Sequence, residues 1–224
     1  MTDETYLYSK QEKLFNPEKT QPKCYIYGCG SGGSHITIGL AKIGIKNITV
    51  YDYDTVEETN VPAQFFTLTS AKEKQLKTEA IKRLAKEMTG TNINTVTLKI
   101  DDTFNPEITS NSIHILAVDS IEIRKLLANK LKDYPVFVID GRIGGFNYEK
   151  YSLRADSDNF DKYLKTLEGT FAETPCGEKC LWANNTLIAS KIIADVIKIS
   201  QNKTPTEVVK GNLLSDMVIE GKLK

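Results

Sequence analysis

Short apolar runs alternate with helical stripes along the chain, the pattern of successive βαβ units folded into a parallel sheet. Five strands are predicted, at Cys24–Tyr27, Ile48–Tyr51, Val96–Ile100, Ile113–Val118 and Val136–Ile139. Four of them are near-continuous apolar runs, as expected of strands covered by helices on both faces. Val96, Leu98 and Ile100 alternate with polar residues instead, which puts the third strand at the sheet edge. Leu76, Ala80, Leu84 and Met88 recur every four residues, and Ile81 and Ala85 widen that stripe to the buried face of a helix. A second helix is read over Ile123–Leu131, and the most regular stripe joins Ile188, Ile192, Val196 and Ile199. Shorter polar segments around Tyr148–Ala155 predict an antiparallel extension, with Gly211–Ile219 as one further edge strand. The expected fold is α/β and doubly wound, a mainly parallel sheet with helices on both faces. One domain spanning 1–224 is expected, with an N-terminal arm at 1–22 and a crossover loop at 165–180.

Directly after the first strand the chain reads Gly28-Cys29-Gly30-Ser31-Gly32-Gly33, and then Ile36, Leu40 and Ile43 mark a helix. A glycine loop between a strand and a helix is the phosphate-binding turn of Rossmann-like folds. Gly28 permits the tight turn, Gly30 lets a phosphate approach the backbone, and Gly33 brings helix and strand together. The helix N-terminus then offers N–H donors and a partial positive charge to an anion. The next strand leads into Asp52, where a ribose-binding acid belongs, so a nucleotide site is expected. With strand order 3-2-1-4-5, the end of the fourth strand lies beside this loop. Asp119 sits there and is placed either to hold the Mg²⁺ of a bound triphosphate or to cap the following helix, Ser120–Leu131.

Composition narrows the partners. Among 224 residues, 29 Lys+Arg balance 29 Asp+Glu, so the chain has no net field to draw in nucleic acid or acidic lipid. Met1–Pro22 is polar and charged, and no apolar run approaches the roughly 20 residues that span a bilayer. No nucleic-acid or membrane partner is expected, and a cytoplasmic location is. The cysteines, at 24, 29, 176 and 180, are too few for a disulfide scaffold.

The run Tyr51-Asp52-Tyr53-Asp54-Thr55-Val56, with Asn60, Gln64 and Lys77 after it, resembles the ThiF/MoeB/E1 superfamily, which activates ubiquitin-like and sulfur-carrier proteins. The resemblance continues through Val118-Asp119, Arg124 and Cys176, over roughly residues 8 to 200. It implies an ATP-dependent adenylyltransferase, with attack by a protein's C-terminal carboxylate on the α-phosphorus to give an acyl-adenylate and pyrophosphate. Carried over by position, it implies Gly28, Gly30, Gly33, Asp52, Asp54, Asn60, Gln64, Lys77 and Asp119 around ATP, with Asp119 on Mg²⁺ and Lys77 and Asp119 in catalysis. A homodimer and a small ubiquitin-like or sulfur-carrier partner are implied as well.

Two departures stand out. Many members carry Arg before the motif's Gln, where this chain has Ala63, and the family's N-terminal arginine has at best a stand-in in Lys10. A shorter branch familiar from phages and mobile elements is similar in lacking that first arginine. These losses favour, as an alternative, an ATP-binding sensor or assembly subunit without full catalysis. An NAD-dependent oxidoreductase is a more distant alternative, suggested by the same loop and Asp52. Family zinc sites use two Cys-x-x-Cys pairs, whereas Cys176 and Cys180 form one wider pair, so zinc is not expected. Either cysteine is a candidate to accept the activated acyl group as a thioester. His35 and His114 are expected to be structural.

Overall fold

The computed structural model describes residues 7–168, 180–215 and 217–223. Its strands are β1 (Cys24–Tyr27), β2 (Ile48–Asp52), β3 (Asn94–Thr97), β4 (Ile113–Leu116), β5 (Phe137–Gly144), β6 (Asn147–Arg154), β7 (Val208–Asn212) and β8 (Met217–Gly221). Its helices are α1 (Ser31–Lys42), α2 (Leu68–Lys72), α3 (Lys77–Thr89), α4 (Ile121–Leu131), α5 (Phe160–Lys165) and α6 (Trp182–Ser200). The strands form one sheet in the order β3-β2-β1-β4-β5-β6-β7-β8. The first five are parallel, and β5 to β8 pair antiparallel. The doubly wound fold and its antiparallel extension are as expected.

Two apolar layers sandwich the sheet. On one face Ile36 and Leu40 of α1, Ile81 and Leu84 of α3, and Ile188, Ile192 and Val196 of α6 pack on Ile26, Val50 and Ile115. On the other, Leu127 and Leu131 of α4 and Phe160 and Tyr163 of α5 pack on Tyr25, Tyr27 and Val138. β1 and β4 lie in the middle and are buried at every residue, which is why both read as unbroken apolar runs.

Three expectations need correction. The third strand is shorter and earlier than Val96–Ile100, because its ladder to β2 ends at the pair Asp52 and Thr97, where β2 itself stops. Met88 does not belong to the buried stripe; it is 40% exposed in the last turn of α3. Gly211–Ile219 is not one strand but parts of two, β7 and β8, and β8 forms the edge.

Between β5, α4 and α5 lies a buried ionic cluster. Asp140 is fully buried and accepts from Arg124 and, at 2.8 Å, from Nε of Arg142. Tyr163 adds a hydroxyl at 3.1 Å. Removing one partner of such a buried ionic group leaves the others desolvated and unpaired. Asp140→Ala is therefore expected to destabilise the fold by about 3–5 kcal/mol. Urea unfolding with an unchanged m-value checks it.

Candidate nucleotide site at the carboxyl edge of the sheet

The chain leaves β1 at the point where the sheet's winding reverses, with β2 on one side and β4 on the other. Two glycines make the turn sterically possible. Gly28 has φ 94°, and a Cβ there would lie 2.7 Å from the Ala117 carbonyl oxygen just beyond β4. A Cβ at Gly33 would lie 1.9 Å from the Gly28 carbonyl oxygen, so α1 packs on β1 at a distance no other residue allows. Gly30 and Gly32 differ: a Cβ at Gly30 would meet only Gln64 Nε2 at 4.0 Å, and one at Gly32 would meet nothing. These two face open volume.

α1 starts from Gly30 with no side-chain cap and no acid in its first turn. The N–H groups of Ser31, Gly32 and Gly33 have no intrahelical partner there, which makes the turn a seat for an anion.

Asp52 joins the loop to the end of β2. Its Oδ2 accepts from the Cys29 N–H at 2.6 Å and its Oδ1 from the Asp54 N–H at 2.8 Å. Each carboxylate oxygen keeps a further lone pair for a hydroxyl donor. Asp54 is exposed, and its carboxylate accepts from Lys77 Nζ at 3.0 Å. Lys77 is only 7% exposed, whereas Lys72, Lys74, Lys82 and Lys86 face water, so it is set apart from the lysines around it. Burial works against its charge, but the carboxylates of Asp52 and Asp54 outweigh it and raise its pKa.

The remaining expected residues lie around this core. Asn60 closes a short 3₁₀ turn (Glu58–Asn60), its Oδ1 accepting from the Glu57 N–H at 3.0 Å. Gln64 reaches toward Gly30. Asp119 is exposed beyond β4, and the residues before it are held by Arg124, which donates to the carbonyls of Leu116 and Val118. The capping role open to Asp119 falls to Ser120, whose hydroxyl accepts from the Ile123 N–H at 3.2 Å. Cys180 lies with Sγ 3.1 Å from Ser31 Oγ, at the first turn of α1. Cys176 lies outside the described residues.

His114 is buried between the Tyr27 hydroxyl (2.8 Å) and the Ser112 hydroxyl (2.9 Å), and burial lowers its pKa to about 3. His35 contacts the Ala63 carbonyl and the Thr186 hydroxyl. Ser34 and Asn185 also belong to this edge, and sequence reasoning missed both. The one available signal for Asn185 is a polar pair, Asn184-Asn185, just ahead of the Ile188 stripe. A separate cleft of about 300 Å³, lined by Tyr8, Pro17, Glu18, Gln21 and Lys46, lies at the amino ends of β1 and β2, the opposite edge of the sheet. No helix among the described residues is long and apolar enough to cross a membrane.

An open, doubly wound sheet with a glycine loop at its switch point defines a Rossmann-like α/β protein. Within that class, the chain belongs to the ThiF family, whose model matches residues 8–220. A search of the curated proteins finds no match. Among solved structures, E. coli MccB with AMPCPP and MccA is similar with TM-score 0.75 and 19% identity, over 97% of this chain and 71% of that one. E. coli MccB with ATP gives TM-score 0.70 and 21% identity, over 92% and 66%. PaaA gives TM-score 0.75 and 18% identity, over 100% and 74%. At these identities the likeness is one of fold.

The three described cysteines differ in reactivity. Burial pushes Cys24 up to about 12 and raises Cys29 well above an ordinary thiol, while Cys180 is partly exposed. A thiol reagent at pH 7.5 is expected to label Cys180 and to leave Cys24 and Cys29 unmodified until the chain unfolds. Peptide mapping by mass spectrometry checks this.

Proposed function

We propose that the chain is an ATP-dependent adenylyltransferase that activates the C-terminal carboxylate of a small ubiquitin-like or sulfur-carrier protein. The observation that carries the reading is the open surface over Gly30 at an uncapped helix N-terminus, with Asp52 anchored beside it. Membership of the ThiF family supports it. So does the binding of AMPCPP with MccA, and of ATP, by the similarly folded MccB.

In this reading ATP lies along the carboxyl edge. Asp52 accepts from the ribose hydroxyls, the N–H groups of Ser31, Gly32 and Gly33 hold phosphate oxygens, and Gly28 and Gly33 keep helix and strand close enough for this. Asn60 and Gln64 flank the ribose and phosphates. Lys77 is charged and confined, so its ammonium is available to phosphate once Asp54 yields part of its hold. Asp119, exposed beyond β4, is the carboxylate assigned to Mg²⁺. Among the described residues no group of three or more His, Cys, Asp or Glu could hold a metal alone. Mg²⁺ usually keeps several waters and is bound by one or two carboxylates and substrate phosphates. When bound, the ion would neutralise phosphate charge.

The substrate carboxylate oxygen then attacks the α-phosphorus in line. The bond from the α-phosphorus to the bridging oxygen breaks, and pyrophosphate leaves with the electron pair. No proton moves, so the protein's work is positioning and cationic stabilisation. The mixed anhydride formed passes to a later acceptor. Cys180 is within reach of the first turn of α1 and is a candidate for that step, as Cys176 is by sequence. A homodimer forms part of the same reading.

Ala63 favours a second reading, a nucleotide-binding subunit without turnover, because a phosphate contact made by Arg in many members is missing. Carrier-dependent exchange of labelled pyrophosphate into ATP separates the two. The primary test is calorimetric titration with Mg-ATP and, separately, with NAD. Mg-ATP is expected to bind and NAD is not. Asp119→Ala is expected to weaken Mg-ATP by about 10-fold, the equivalent of ~1.4 kcal/mol, and to affect ATP without metal less. Binding of NAD with Asp119 indifferent would reject the proposal.

A further inference from the structure

Gln64 is the side chain nearest the open surface of Gly30, and the backbone on either side of it is held by several hydrogen bonds. Its own N–H donates to the Asn60 carbonyl at 2.8 Å. The following N–H, of Phe65, donates to Ser34 Oγ at 2.9 Å, and that hydroxyl donates in turn to the Gly30 carbonyl at 2.7 Å. The preceding carbonyl, of Ala63, receives two donors from two different helices. His35 Nε2 reaches it from α1 at 3.1 Å, and Asn185 Nδ2 from α6 at 2.7 Å. The side chain itself is not satisfied: Oε1 is buried with no partner, while Nε2 points toward Gly30. A buried acceptor without a donor costs about 1–3 kcal/mol, and such an arrangement persists only where its surroundings over-determine it.

We infer that His35 and Asn185 are positioning residues for the nucleotide site, clamping the Ala63 carbonyl so that the Gln64 amide is fixed as a neutral N–H donor over the phosphate seat at Gly30. The inference rests on the nucleotide reading above. A carbonyl oxygen has two lone pairs, and both are used here, so the Ala63–Gln64 peptide plane cannot rotate without losing a bond to α1 or to α6. Rotation of that plane is the motion that would swing Gln64 away from Gly30. The imidazole is further fixed by its ring contacts with Trp182 (4.2 Å between centroids) and Phe65 (5.5 Å), and by the Thr186 hydroxyl at Nδ1. A carbonyl only accepts, so Nε2 must carry the proton: the bond forms in the charged ring and in the Nε2–H tautomer of the neutral ring, and is lost in the Nδ1–H tautomer.

The clamp also explains an arrangement that packing alone does not require. Asn185 is fully buried in the first turn of α6, where an apolar residue would pack against α1 at no desolvation cost. Its amide is used on a loop more than 100 residues away in sequence, next to the residue that faces Gly30. The same α6 turn follows Cys180, whose thiol touches Ser31. The nucleotide loop and the start of α6 are thus held against one another through Ala63.

The test is a double-mutant cycle read in the dissociation constant for Mg-ATP, with melting temperature followed for each variant. His35→Phe keeps the ring contacts and removes the donor; Asn185→Ala removes the other donor. Each is expected to weaken Mg-ATP about 3- to 10-fold, the range of one neutral hydrogen bond. In a Gln64→Ala background neither is expected to weaken it further, because the clamp acts through that side chain. His35→Gln, which restores an N–H donor, is expected to recover most of the affinity. Equal losses in both backgrounds, or no loss from either substitution, would overturn the inference, since a merely structural contact gives additive effects. The two donors lie on different helices, so a folding defect in one variant leaves the other to decide. Failure of the unaltered chain to bind Mg-ATP would overturn the nucleotide reading as well, whereas binding with additive losses would overturn the inference alone.

Discussion

The contact between Gly33 and the Gly28 carbonyl sets the geometry of the carboxyl edge. A Cβ at position 33 would sit 1.9 Å from that oxygen, and one at position 28 would sit 2.7 Å from the Ala117 carbonyl oxygen. The glycines therefore bring three backbones, those of β1, α1 and the end of β4, into direct contact. With no side chain between them, the first turn of α1 is presented to the switch point, and the polar groups of the site are arranged around it.

From that contact hydrogen bonds run outward in a short chain. Asp52 ties the loop to β2 through the Cys29 N–H, and Asp54 ties β2 to Lys77 at the start of α3. Ser34 and His35, one turn into α1, reach the 63–65 segment, which Asn185 binds from α6. On the far side, Arg124 and Asp140 fix the residues leading to Asp119. Each helix or strand that borders the site is thus fastened by at least one buried or half-buried polar bond. Donors that are already in place give up little further freedom when a ligand binds.

How much of this was legible in the sequence follows from the range of the interactions. β1, β2, β4 and β5 and their order could be read, because buried parallel strands leave unbroken apolar runs and a glycine loop marks the switch point. β3 was misplaced, since its end depends on where β2 stops pairing, a fact about another segment. Met88 matched the helical period yet lies beyond the reach of the core. The capping role offered to Asp119 falls one residue on, to Ser120, a matter of register that composition does not resolve. The glycines, Asp52 and Asp119 follow from a strand, a glycine loop and a helix in succession and from the switch point, whereas Asp54, Asn60, Gln64 and Lys77 are found through a family pattern. His35 and Asn185 carried no such pattern. Their shared partner, Ala63, is apolar in sequence and contributes only its backbone.

The two borders of the sheet differ in a way that concerns the protein as a solute. β3 ends the sheet in Asn94, Thr95, Val96 and Thr97, three polar residues and one exposed apolar one. β8 ends it in Met217, Val218 and Ile219, all largely exposed, beside a backbone row with no neighbouring strand among the described residues. The molecule is accordingly one-sided. Of the two borders, β8 presents the larger row of apolar side chains to water, and in an edge strand that row lies next to backbone groups able to pair with another strand.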